Sequence, residues 1–256
     1  MILRRLTENL RTQNWTAITI ELGIVILGVF IGTQVSNWNQ QRLEQVETQR
    51  MLAQLAPNLN VLTAYFSSAR SYYATTRRYA STALSGWRGD RRVSDRDFVT
   101  AAYQASQITG VGTNGAAWAT VLGADQLRGI DNVAIRNDLS FLMSTDYSVI
   151  DLSAVNTPYR QNVRRLIPIE VQEALLGQCG DRSSRNGSPF VELPPTCDLK
   201  IAPEQAANAA SILRAHPQLV EDLQWQLAAE ANLLTNLSGF ETTTRDLQRR
   251  IGTLRN

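Results

Sequence analysis

Apolar positions along this chain obey two different rules. From Ala17 to Val35 they run almost unbroken, nineteen residues in which Glu21 is the single formal charge. From Leu52 onward they recur every three or four residues, at Leu55, Leu59, Leu62, Phe66, Ala69, Tyr73, Thr76, Ala80, Ala83 and Trp87. The first pattern leaves a helix no polar side, as in a membrane span; the second leaves one apolar seam, as in a helix of a bundle. The two read as one helix, the span continuing as a stalk. Pro57 should kink that helix or start a new one, because it lacks a backbone donor and crowds the preceding turn.

The span fits a bilayer by length. Nineteen residues at ~1.5 Å each rise roughly 28 Å, against ~30 Å of hydrocarbon. Trp15 and Trp38 bracket it, about 34 Å apart on a helix, as two interfacial belts would be. A cleaved signal peptide is the rival reading, but its apolar core is shorter, roughly 7–15 residues, and ends in a small-x-small site absent here. Arg4, Arg5 and Arg11 precede the span and place residues 1–14 in the cytoplasm. The expected plan is therefore a cytoplasmic tail (1–14), a transmembrane helix (15–38) and a periplasmic domain (39–256) at a bacterial inner membrane.

One face of the span differs from the rest. At 100° per residue, Val25, Gly28, Gly32 and Val35 all fall within about 40° of Glu21, and Ser36 extends the stripe. Small residues at four-residue spacing let a second helix approach closely, and an acid within a span favours a protein partner over lipid. Glu21, Val25, Gly28, Gly32, Val35 and Ser36 are thus the expected contact with another transmembrane helix, either of a larger complex or of a second copy. Incidental glycines and a snorkelling or protonated Glu21 are the plainer alternative.

Past the stalk the pattern stays helical. Gly86 to Arg92 reads as a turn, and Ser94 caps a helix through about Gln107. Gly110 to Gly115 forms a loop before a short helix carrying Trp118. A long helix should run from near Asp131 toward Ile167. Pro168 opens another that ends at Gly177, and Pro203 opens the next. After His216 and Pro217 a final helix carries Leu219, Leu223, Leu227, Leu234, Leu237, Phe240, Leu247, Ile251 and Leu254. Period-two alternation is missing, so almost no sheet is expected. The fold class is all-α: one amino-terminal transmembrane helix continuing into an antiparallel helical bundle.

Composition narrows the chemistry. At 43% apolar and 19% charged residues the chain is no disordered segment. With 25 basic against 23 acidic residues, the net charge of +2 gives no footprint for nucleic acid. Cys179 and Cys197, in a loop at 177–202 of an exported domain, read as a disulfide, with free thiols or a metal as rivals. A zinc site is short of ligands, since His216 is the sole histidine. Residues 110–115 match G-x-G-x-x-G, but a dinucleotide site needs a strand before it, and helices flank it on both sides. Glu170 and Glu173 read as solvated helix surface, as do Glu221 and Asp222. No catalytic residue and no cofactor is expected. Tyr65, Phe66, Tyr72, Tyr73, Tyr79 and Tyr103, with Arg70, Arg77 and Arg78, form the most polar-aromatic region. Core packing by Phe66 and Tyr73 with arginines on the wet face is the plainer reading; a ligand pocket or a partner surface, with Tyr72, Arg77, Arg78 and Tyr79 as its candidates, is the sharper one.

Glu21, Gly28, Ile31, Gln34, Val35, Asn37, Trp38 and Asn39, followed by Gln-Gln-Arg, resemble the opening of a bacterial family of single-span membrane proteins of unknown function. Its members begin with a basic tail and a Glu-led apolar span ending in Gln-x-x-x-Trp-Asn. Trp118, Leu122, Gly123, Leu127 and Ile130 are similar to its second block, while Gln40 stands where that family often has an acid. The resemblance implies topology and not chemistry. The function expected from the sequence is that of a non-enzymatic accessory subunit, docked by its span onto a larger membrane complex such as a respiratory or light-harvesting assembly. The alternative is an extracytoplasmic ligand-sensing bundle that signals through a partner protein.

Overall fold

The computed structural model describes residues 15–110, 127, 129–147, 156–183 and 191–253, with the side chains of 15–19, Glu21 and Ser183 outside that description. The Gly110–Gly115 loop beyond Gly110, Trp118, Leu122, Gly123 and Leu254 fall outside it as well. Seven α-helices are present among the described residues: α1 (Trp15–Trp87), α2 (Asp95–Gln104), α3 (Val133–Ser144), α4 (Pro158–Leu166), α5 (Ile169–Cys179), α6 (Pro203–Arg214) and α7 (Gln218–Thr253). Two strands of two residues each, β1 (Arg182–Ser183) and β2 (Val191–Glu192), pair antiparallel. The fold is all-α. The chain divides into two units, Met1–Met51 and Leu52–Asn256.

The first unit is the amino-terminal part of α1. Ile20, Leu22, Ile24, Val25, Ile26, Leu27, Val29, Phe30, Ile31, Val35 and Trp38 are all exposed, each by 57% or more. They point in every direction around the helix, and none of its most apolar window is covered by protein. A helix that is apolar all round and bare in water has no stable environment except lipid or another protein. Its length and its hydropathy fit a single-span membrane protein.

The second unit is built on the pairing of α1 with α7. All ten positions of the α1 seam from Leu52 through Ala83 are buried, and Trp87 packs against the core. Asn60 meets Gln248, Phe66 stacks on Phe240, Thr76 meets Glu230 and Arg77 meets Leu227. Each step up α1 is matched by a step down α7, so the two helices lie antiparallel. Pro57 starts no new helix: it lies inside α1, on an exposed position. The seam residues on either side of it, Leu55 and Leu59, are both fully buried, and that packing outweighs the one backbone bond the proline removes.

The remaining helices begin where the sequence supplies a cap. The side chain of Ser94 accepts from Asp97 N at 3.1 Å, that of Asn132 from Ala134 N at 3.1 Å, and that of Thr157 from Arg160 N at 3.2 Å. Pro203 occupies the first turn of α6, where its missing donor costs nothing. The single long helix expected from Asp131 to Ile167 is two, α3 and α4. The first ends at Ser144, where Thr145 turns extended, and Thr157 with Pro158 starts the second. The helix after Ser94 stops at Gln104, three residues earlier than expected, and α5 runs on past Gly177 to Cys179. After α1, the turn uses Gly89 at φ +77°. Gly86 permits a close crossing, since a Cβ there would fall on the Phe98 ring.

Candidate functional site

Two places concentrate features that simple packing leaves unused. The first is the bare surface of the first unit. Val25 and Val35 are 61% and 58% exposed there. A Cβ built on Gly28 or Gly32 would meet nothing within 4 Å, so both positions are open to a close neighbour. Ser36 and Trp38 are exposed on the same helix. Glu21 and Trp15 belong to α1, their side chains lying outside the described set.

The second place lies inside the folded unit, where the cysteine loop meets α1, α2 and α4. Cys179 and Cys197 lie at disulfide distance, with Cα atoms 5.5 Å apart. The carbonyl of Cys179 accepts from the buried Gln104 amide. Lys200 N donates to Gln178 Oε1 at 2.7 Å, tying the far end of the loop to the same helix. These ties fix Asp181, two residues after the cysteine, opposite Tyr72, whose hydroxyl donates to Asp181 Oδ1 at 2.9 Å.

Of the polar-aromatic cluster expected around Tyr72, Arg77, Arg78 and Tyr79, the structure brings Tyr72 and Arg78 to one groove and gives Arg77 and Tyr79 separate partners. Tyr72 is 2% exposed with its hydroxyl committed to Asp181, and it lines one groove together with Arg78. Tyr79 donates to Pro194 O at 2.8 Å and so braces the loop. Arg77 turns the other way and donates to Leu227 O at 2.8 Å. Arg78 stays exposed and lines a groove of about 430 Å³ with Ser67, Ser71, Thr75, Glu192 and Pro195.

Behind Tyr72 stand two arginines of α4. Arg160 Nη1 donates to Ser106 O at 2.8 Å, and Arg164 Nη2 to Gln107 Oε1 at 2.8 Å. The Arg164 guanidinium lies over the Tyr103 ring, 4.8 Å from its centroid. Neither arginine has a carboxylate within ion-pair distance among the described residues. Tyr103 is fully buried, yet among the described residues its hydroxyl has no hydrogen-bond partner, and neither does the buried Arg164 Nε. Burial pushes the Tyr103 hydroxyl above its ordinary range, while Arg164 and Arg160 pull it down. Burial, and then the neighbouring Arg164, press Arg160 below the usual guanidinium range. Asp181 is exposed as a residue, but desolvation still pushes its carboxyl up, against the hydrogen bond from Tyr72 and the charges of the two arginines.

A third polar group sits on the α1–α7 seam. Thr157 Oγ1 donates to Gln226 Oε1 at 2.7 Å, and Gln226 Nε2 donates to Ala105 O at 2.7 Å and to Glu230 Oε1 at 3.0 Å. Glu230 is 1% exposed, and burial pushes its pKa up to about 7 against the pull of Gln226, Arg77 and Thr76. The Thr76 hydroxyl lies 2.9 Å from Tyr73 O and 3.3 Å from Glu230 Oε2.

The other residues weighed in the sequence are apart from these places. Glu170, Glu173 and Glu221 are exposed, and Asp222 accepts from Asn162 Nδ2 at 2.7 Å. His216 Nδ1 contacts Ile212 O at 2.8 Å and therefore carries the ring proton. Tyr103 belongs to the polar-aromatic region read from the sequence; Gln226, Glu230, Arg160, Arg164 and Asp181 were missed. For Gln226 and Glu230 a signal existed, since both stand at seam positions of α7; for the others spacing offers none.

No protein-family model matches the chain, and neither a curated protein nor a solved structure is significantly similar to it. What the molecule does is therefore argued from its own geometry.

Proposed function

We propose that this protein is a non-enzymatic, single-span accessory subunit that docks by its transmembrane helix onto a larger membrane complex and presents its helical domain on the periplasmic side. The observation that carries this reading is the uncovered apolar helix of the first unit, with Gly28 and Gly32 open on one face. An apolar helix alone asks only for lipid. Open glycines aligned with Glu21 suit a second helix at close range, where dispersion and shared polar contacts hold the pair. The orientation rests on Arg4, Arg5 and Arg11 before the span, and the cysteine pair fits an oxidising compartment.

Gentle solubilisation of native membranes tests it. The protein should migrate with partner chains, and Gly28→Leu with Gly32→Leu should release it as a free species while leaving it in the membrane. Recovery of the unaltered protein solely as a free monomer sinks the reading.

The second reading, a ligand-sensing bundle, is favoured by the unpartnered Tyr103 hydroxyl beside two arginines. A ligand there would act by preferring one of two arrangements of the helices.

A further inference from the structure

We propose that Arg160, Arg164 and Tyr103 form a binding site for a small carboxylate. It is independent of docking through the span, because every group in it belongs to the second unit.

The argument begins with donors that lack acceptors. A buried hydroxyl or guanidinium N–H without a partner carries its full desolvation penalty uncompensated. Tyr103 Oη and Arg164 Nε are both in that state, and they belong to side chains stacked on each other. Arg160 adds a second cation, one turn from Arg164 on α4 and close enough to act on Tyr103 electrostatically. The protein acceptors present, Ser106 O and Gln107 Oε1, are neutral and already engaged. An acceptor carrying negative charge would satisfy the hydroxyl and the free guanidinium edge together.

Charge and shape select the class. Arg160, Arg164 and Asp181 sum to a single positive charge, so a monoanion leaves the site neutral and a phosphate dianion overshoots. Arg guanidinium presents planar paired donors, which match the two oxygens of a carboxylate. Asp181 does not itself fill the role. Its carboxyl takes the Tyr72 hydroxyl and lies beyond ion-pair distance of both arginines. It acts as a fixed counter-charge to the two arginines.

The frame is rigid enough to select. Tyr159 O–H donates to Ala102 O at 2.9 Å, Thr157 caps α4, and the disulfide with Gln104 pins Asp181. Four separate segments are held in register before any ligand arrives, which lowers the entropy cost of binding.

The full-length protein in detergent or nanodiscs tests this at neutral pH. Sodium acetate and propionate should raise the thermal midpoint by about 3 °C near saturation, beyond sodium chloride of equal ionic strength. Arg164→Gln should abolish that rise. Tyr103→Phe keeps the ring and the stack, and should weaken binding about tenfold, the value of one hydrogen bond to an anion. If Arg164→Gln does not fold, the Tyr103→Phe titration decides alone. A midpoint indifferent to carboxylates, a response to phosphate and not to carboxylate, or Tyr103→Phe titrating like the unaltered protein would each overturn the proposal. None of these outcomes bears on whether the span has a partner helix.

Discussion

Glu230 is the residue on which pH acts most directly. Its pKa in the fold is pushed from 4.5 up to about 7, so between those values the folded protein holds a proton that the unfolded chain has lost. The stabilisation is fully present below about pH 4.5 and disappears as pH rises through 7. The loss amounts to about 3 kcal/mol on the scale of 1.36 kcal/mol per unit. Chemical denaturation at pH 5 and pH 8 should show that decline in the unaltered protein, and Glu230→Gln should flatten it and be the more stable form at pH 8. Gly86 makes the opposite kind of prediction, one of shape. Gly86→Ala places a methyl group on the Phe98 ring, which also packs edge-on against Trp87 at 5.0 Å. A cost of about 1–3 kcal/mol in urea unfolding is expected, the usual penalty for overpacking.

At the level of elements, the disulfide does more than staple a loop. It joins the end of α5 to the segment leading into α6, while Gln178 grips Lys200 beside it. The loop it closes spans a sequence separation of 18 residues. Chain-entropy arguments put the stabilisation near 3 kcal/mol, and Cys179→Ala with Cys197→Ala should lower the midpoint accordingly. Loss of the bond should also loosen Asp181, so hydrogen exchange is expected to rise at residues 180–183 before it rises in α7. Unchanged exchange there would mean that Tyr72 and Gln104 suffice to hold the segment. The elements also show where sequence reading succeeded and where it failed. The α1 seam was legible residue by residue, because three- and four-residue spacing has only one helical meaning over so many turns. The stretch before Ile167 reads as one helix, but α3 ends where Thr145 turns extended, and Thr157 with Pro158 marks only the start of α4.

At the scale of the whole molecule, the two units answer to different solvents. The first exposes apolar side chains on every face; the second buries Phe66, Tyr73, Phe98, Tyr103 and Tyr159 completely. A charge in the span should therefore harm only the first. Leu27→Arg is expected to cost about 2.5–3.5 kcal/mol of insertion and to shift protein from the carbonate-resistant membrane fraction to the soluble one. Near-ultraviolet circular dichroism of the second unit's aromatic core should stay unchanged. A collapse of that signal would show that the bundle depends on the span for its folding.

The amino-acid sequence by itself determined the all-helical class, the apolar span, the seam of α1, the helix starts at Ser94 and Pro203, and the cysteine pairing. All of these are local properties, settled by neighbours within one or two turns or by the presence of just two cysteines. The tertiary structure alone decided that Tyr72 serves Asp181, that Arg77 reaches α7, and that Tyr103, Arg160, Arg164 and Asp181 share one place. Those groups come from four segments far apart in the chain. No spacing rule links them, because only the packing of helices against each other brings their side chains within reach.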